Sequence, residues 1–248
     1  MGILNVTPDS FADGGRHNEF EAAVARGLAM IAEGVDIIDI GGESTRPGAE
    51  RVSEEEEIAR VIPVITELAK HGTVISIDTM RASTAEAAIK AGASIINDVS
   101  GGLADPDMLQ TVARLQVPYI AMHWRGQSKD MNSKAIYADV VSDVISELNE
   151  RIDAALDAGI QKDKLIIDPG IGFAKDAEHN WAIIDAIDQF VALGYPVLVG
   201  GSRKRFLGGE TPDEREQATI ELTKRLGTTG VWAVRVHSVK PHKEVLSQ

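Results

Sequence analysis

Short apolar runs alternate with longer mixed stretches along the whole chain. The runs are GILNV, VDIIDIGG, TVISIDT, SIINDVSG, VPYIAMHW, KLIIDPG, YPVLVGG and VWAVRVH, eight in all. Near-continuous Val, Ile and Leu predict strands covered on both faces. Between them lie helix-like stretches such as FEAAVARGLAMIAEG, EEEEIARVIPVITELAKHG and YADVVSDVISELNERIDAALDAG. Strict alternation of this kind predicts parallel strands joined by crossover helices. Gly34, Gly72, Gly92 and Gly159 close helical stretches and predict left-handed C-terminal caps. No linker, low-complexity tract or second unit interrupts the rhythm. Eight units in 248 residues favour an α/β fold of the closed (β/α)8 TIM-barrel type, one domain over 1–248. An open doubly wound sheet is the alternative, but its dinucleotide version would carry G-x-G-x-x-G after a strand, and none is present.

Charge narrows the partners. Lys and Arg number 25 against 38 Asp and Glu, a net charge of −13. Such a chain repels nucleic acid and anionic membranes, so neither is an expected partner. An anionic ligand needs a local knot of basic groups. The absence of cysteine excludes disulfides, thiolate metal sites and cysteine nucleophiles, and it suits the reducing cytoplasm. No apolar run approaches the roughly 20 residues of a membrane span. The opening MGILNVTPDS lacks the basic and apolar regions of a signal peptide.

Polar residues cluster just after the apolar runs. They are Asn5 with the loop TPDSFADGG, Thr45-Arg46-Pro47, Asp78, Asn97, Met122-His123, Asp168, Ser202-Arg203-Lys204, and Arg235 with His237. In a barrel these strand ends converge on one mouth. Asp78, Asn97 and Asp168 form an acceptor set suited to a flat heterocycle with N–H donors on one edge. Arg46, Lys204, Arg235, His237 and Asn5 form a donor set suited to a phosphate-like anion. Other candidates read as structural. Asp39 and Glu43 read as caps or turn formers, His123 as a core or rim histidine, and Glu54–Glu57 as the solvated first turns of a helix. Arg203-Lys204-Arg205 also suits a solvated helix start. Motifs of serine hydrolases, zinc proteases and P-loops are absent. Scattered histidines do not build a zinc cage, whereas magnesium held mainly by a ligand's phosphates fits this composition.

The segments MGILNVTPDSFADGG, GGESTRPGA, SIDT, IINDVSGG, MHWRG, DPGIGFAK, GGSRKRFLG and VRVH together resemble the dihydropteroate synthase family, the sulfonamide target of folate biosynthesis. The resemblance runs from residue 1 to about residue 240, and the MHWR and GFAK segments are most similar to actinobacterial members. It implies a cytoplasmic transferase that condenses dihydropterin hydroxymethyl pyrophosphate with p-aminobenzoate, releasing pyrophosphate with the help of Mg²⁺. By position, it assigns Asp78, Asn97, Asp168, Lys204 and Met122 to the pterin. Asn5, Arg46, Arg235 and His237 fall to the pyrophosphate, with Asn5 beside the metal. Thr45, Pro47, Phe173 and Ser202 fall to p-aminobenzoate, and Phe11 and Asp13 to a lid. Lys204, Arg235, His237 and Arg46 become the catalytic set. Ser238 stands where the family has Asp. The family's late helices form its dimer, and the short last helix here leaves a homodimer open. Two further readings stay open. A non-catalytic pterin-shaped barrel would show decay of the donor set. A pterin-dependent methyltransferase working with a corrinoid protein would not need STRPG, SRK and RVH together.

Overall fold

The computed structural model describes residues 1–7, 15–44, 51–127 and 131–247, without the side chains of 15–18, 131 and 132. In chain order the elements are β1 (Gly2–Asn5), α1 (Gly15–Ala32), β2 (Ile37–Gly41), α2 (Glu54–Ala69), β3 (Val74–Asp78), α3 (Ala82–Ala91), β4 (Ile95–Asp98) and α4 (Met108–Leu115). They continue as β5 (Tyr119–Met122), α5 (Val140–Asp157), β6 (Leu165–Asp168), α6 (Ala177–Asp185), α7 (Ile187–Val191), β7 (Leu198–Val199), α8 (Glu216–Leu226), β8 (Ala233–Val234) and α9 (Lys240–Leu246). Strands β1 to β6 pair in sequence order, all parallel, and β7 pairs with β8.

Two seams close the ring. Ile167 N–H donates to the Pro196 carbonyl at 3.0 Å, joining β6 to β7. Ile3 N–H donates to Val236 O at 2.8 Å, and Val236 N–H to Met1 O at 2.9 Å, joining the end of β8 to β1. All eight strands therefore form one (β/α)8 barrel with no open edge between them, as the alternation predicts. The expected glycine caps are present: Gly34, Gly72, Gly92 and Gly159 have φ of 82°, 70°, 119° and 97°.

Alternation along the strands sorts the side chains. Ile38, Ile40, Ile75, Ile77, Ile96 and Ile167 belong to the large core shared with the helices, where Val61, Ile65 and Leu68 of α2 also pack. Met1, Ile37, Ile95, Ile120, Ile166 and Leu198, with Ala233, form a separate apolar cluster, the barrel floor. Successive side chains of a strand point to opposite faces, so the next inward residue lies two positions on. That step leads from Ile37 to Asp39, Ile95 to Asn97, Ile120 to Met122, Ile166 to Asp168, Leu198 to Gly200 and Ala233 to Arg235. The floor is apolar and the layer above it is mostly polar.

Helix α2 departs from expectation at one residue. Ser53 caps it by accepting from Glu56 N–H at 3.2 Å, and four glutamates favour its positive end. Glu57 is not solvated, however. It is buried and accepts from Thr79 Oγ1 at 2.6 Å and from Arg81. Its helical position turns it toward the barrel, where those partners satisfy it.

Ile120 is fully buried in the floor directly below Met122. Ile120→Ala should lower the unfolding free energy by about 2–5 kcal/mol, measured by urea denaturation, because the closed barrel cannot collapse around the void.

Candidate active site

The polar layer is held together by one guanidinium. Arg235 Nε donates to Asp39 Oδ2 at 2.5 Å, and Nη2 donates to Asp78 Oδ2 at 2.6 Å. Asn97 Nδ2 donates to the same Asp39 oxygen at 3.0 Å. A carboxylate only accepts, so this contact orients the amide and leaves Asn97 Oδ1 as an acceptor. Asp39 is fully buried at mid-strand, so it is neither a cap nor a turn former. Its position two residues above Ile37 makes it the hub of the layer. Burial works against the charge of Arg235, but Asp39 and Asp78 hold its pKa above the ordinary value. Burial raises Asp78 to about 7, with Arg235 opposing and Asp39 adding to the rise.

Asp168 ends β6 beside this hub. Its Oδ1 accepts from Gly170 N–H at 2.7 Å, and burial raises its pKa. A Cβ at Gly200 would lie 3.9 Å from Asp168 Oδ2 and 4.0 Å from Arg235 Cβ. One at Gly41 would lie 3.4 Å from Asp78 Cβ. Both glycines keep side chains out of the space between the polar groups. Met122, Met80 and Val99 form an apolar cluster with Phe173 and Trp124 packed on it. Carboxylate and amide acceptors beside an apolar thioether cluster suit a heteroaromatic ring.

Lys204 and His237 complete the mouth. Lys204 Nζ donates to the Ile171 carbonyl and lies 4.5 Å from the centroid of the Phe173 ring. Burial lowers Lys204 to about 8, against the pull of Asp168. His237 N–H donates to Ser202 Oγ at 3.2 Å, and the Ser202 hydroxyl lies 3.0 Å from His237 Nδ1. Arg203 turns away, to Glu216 at 2.6 Å and Ser238 Oγ at 2.9 Å. Within the basic triplet only Lys204 joins the site. Ser238 still receives Arg203.

The chain as a whole has counterparts among known proteins. A model of the family described as "Pterin binding enzyme" matches residues 1–237. Dihydropteroate synthase of Mycobacterium leprae is 48% identical over 256 residues, spanning 99% of this chain and 90% of that protein. The structure of Xanthomonas albilineans dihydropteroate synthase with 4-aminobenzoic acid superposes with a TM-score of 0.94 at 45% identity, covering 100% of this chain and 90% of the other. The same enzyme in complex with 7,8-dihydropteroate gives 0.90 at 42%, with the same coverage. The chain belongs to the dihydropteroate synthase family. It is a transferase of folate biosynthesis that makes dihydropteroate.

Against that family, the structure brings together Asp78, Asn97, Asp168, Met122, Lys204, Ser202, Phe173, Arg235 and His237 at the C-terminal mouth of the barrel, with Asn5 ending β1 on the same side. Phe11, Asp13, Thr45, Arg46 and Pro47 lie outside the described residues. The acceptor and donor sets are not separate walls, because Arg235 bridges them. Two residues escaped the sequence reading. Asp39 looked like any strand aspartate, and only its inward phase could have singled it out. Lys175 ends the GFAK segment and is buried. His123 is buried as expected, between Glu147 and Lys175.

Folded Asp78 keeps its proton up to about pH 7, whereas the unfolded group releases it near 3.8. The native state therefore binds more protons in that interval, and stability falls as pH rises through it. Relative to Asp78→Asn, the protein should lose about 1 kcal/mol per pH unit across this range, read from denaturant curves at several pH values. A parallel pair of profiles would refute the assignment.

Proposed function

We propose that the single barrel domain, residues 1–248, condenses 6-hydroxymethyl-7,8-dihydropterin pyrophosphate with p-aminobenzoate in the cytoplasm, with the residue roles that follow. The observation that supports these roles is the buried polar layer of Asp39, Asp78, Asn97 and Arg235, next to Asp168, at the mouth of a pterin-binding barrel. The pterin lies over the floor against Met122. Its amino and ring N–H groups donate to Asp168 and Asn97 Oδ1, and Asp78 and Lys204 hold the opposite part of the ring. The pyrophosphate meets Arg46, Arg235, His237 and Asn5. Thr45, Pro47, Phe173 and Ser202 receive p-aminobenzoate, and the loop bearing Phe11 and Asp13 covers the leaving group.

The reaction starts with cleavage of the bond between the pterin methylene carbon and the bridging oxygen. The electron pair leaves with pyrophosphate, and the pterin ring delocalises the resulting cation. Arg46, Arg235 and His237 stabilise the charge growing on the leaving group, a preorganised electrostatic contribution. The neutral aromatic amine then bonds to the methylene carbon and releases one proton. It is nucleophilic without a strong base, so neither a triad nor a covalent enzyme intermediate is required. Arg235 serves both halves of the substrate. Its removal uncovers Asp39 and Asp78 as well as the anion pocket, so it does not act on pyrophosphate alone.

Among the described residues no group of three or more His, Asp or Glu side chains could cage a metal. Magnesium carried in by the substrate needs few protein oxygens when phosphates supply the others, and the Asn5 amide at the end of β1 offers one. Asn5 is the residue that would hold it. When bound, the ion neutralises charge on the departing pyrophosphate.

Turnover of the two substrates, followed as dihydropteroate formation with and without Mg²⁺, tests the reading. No product under either condition would refute it. Asp168→Ala should weaken pterin binding by about 1.5–3 kcal/mol, measured by calorimetry, as expected for hydrogen bonds to a charged group. Chelating Mg²⁺ should depress turnover far more than the binding of a pterin without pyrophosphate. Equal losses would assign the ion a structural role.

A further inference from the structure

The loop between β6 and α6 has an unusual backbone. Gly170 and Gly172 have φ of 70° and 77°, and Ala174, which is not a glycine, has φ of 48°. A left-handed alanine costs on the order of 1 kcal/mol, so surrounding contacts must hold it. Tyr137 supplies one of them, donating its hydroxyl to Ala174 O at 2.9 Å. Lys175 supplies the others from beneath. Its Nζ donates to Gly170 O at 3.1 Å and Phe173 O at 3.1 Å, and it lies 2.9 Å from His123 Nδ1.

Those acceptors number three, which is the donor count of an ammonium group. His123 can accept from Lys175 only if Nδ1 carries no proton. Its Nε2 meets Glu147 Oε2 at 3.0 Å, so the proton sits there and points to the carboxylate. Burial, and then Lys175, lower His123 to about 4, which keeps the ring neutral. Hydrogen bonds from His123 and Arg125 outweigh burial at Glu147 and hold it at about 2. The chain of contacts thus runs from Arg125 through Glu147, His123 and Lys175 to the loop carbonyls. The Arg125 guanidinium also stacks 3.8 Å over the Tyr137 ring. Burial lowers Lys175 itself to about 7, so a charged amine is costly here. An apolar residue would avoid that cost and leave two carbonyls without donors.

The opposite face of the loop meets the active site. The Ile171 carbonyl accepts from Lys204, whose ammonium covers the Phe173 ring. The peptide orientations at 170–173 therefore decide two things at once: where Lys204 is anchored and where Phe173 stands. A Cβ at Gly170 would come within 2.4 Å of His123 O, and one at Gly172 within 2.6 Å of Lys204 Cδ. Gly170 thus packs against the His123 backbone and Gly172 against the Lys204 stem, so the loop touches the buried end on one side and the site end on the other.

We propose that Lys175 is a positioning residue for the amine substrate: by holding the Gly170 and Phe173 carbonyls from behind, it sets the p-aminobenzoate subsite without touching either substrate. This inference rests on the assignment of Phe173 to p-aminobenzoate. Lys175→Met preserves bulk and removes all three donors. It should raise KM for p-aminobenzoate at least tenfold, while the Kd of the pterin, measured by calorimetry, changes less than threefold. A general loss of stability would not separate the two substrates in this way. If Lys175→Met gives no soluble protein, Lys175→Gln, whose amide keeps two donors near the carbonyls, should show the same split at smaller amplitude. Equal effects on both substrates, or none on KM, would overturn the proposal. Phe173→Ala separates the two levels of the argument. A raised KM there with a normal KM in the Lys175 variants overturns the positioning role alone. An unchanged KM in Phe173→Ala overturns the subsite assignment, and the positioning role with it.

Discussion

The site depends on a guanidinium placed where two carboxylates would otherwise repel each other inside the barrel. Asp39 and Asp78 each bond a different nitrogen of Arg235, at 2.5 Å and 2.6 Å. Removing water from charged groups costs several kcal/mol per ion unless their geometry and hydrogen bonds compensate. The compensation comes from distant parts of the chain, since Arg235 lies on β8 and its partners on β2 and β3. Barrel closure is therefore a condition for the site as well as for the fold. Asn97 extends the arrangement, because its amide direction follows from Asp39. Among the described residues, one buried oxygen of Asp39 and the hydroxyl of Ser76, its register neighbour, have no hydrogen-bond partner. The desolvation cost of a polar layer in a barrel core thus falls partly on its hub.

The loops above this layer are held by charges of a different kind. Around the segment that follows β2, Glu43 bonds Arg81 at 2.7 Å and Arg51 at 2.9 Å, and Arg81 also donates to the Val52 carbonyl at 2.5 Å. Buried Glu57 joins the same network. Behind the β6 loop, Lys175 and Tyr137 hold backbone carbonyls. In both places a buried or half-buried cation satisfies backbone that has left regular structure. This is the general requirement that unpaired peptide groups find partners, met here by side chains instead of strands. The scaffold is held mainly by apolar packing, while these loop supports are polar.

Much of the architecture was legible from periodicity. Eight apolar runs, terminal glycines with left-handed φ, and the position of Asp78, Asn97 and Asp168 at strand ends all follow from rules that act over a few residues. The helix-start glutamates were read correctly as a group and wrongly for Glu57, because burial of one position depends on which neighbour it faces. The same limit hid Lys175. A lysine at the end of GFAK has no local mark of burial, and its partners His123 and Glu147 sit on β5 and α5.

By itself, then, the sequence determined the order and type of the elements, the barrel class, and which residue types reach the mouth. These depend on local dihedral preferences and on the two- and nearly four-residue periods of strand and helix. Only the tertiary structure decided which charges share partners: Arg235 with Asp39 and Asp78, Lys175 with His123, and Lys204 with Ile171. Electrostatic pairing depends on distances of a few ångströms between residues up to 196 positions apart. No local pattern encodes those distances until the ring of strands has closed.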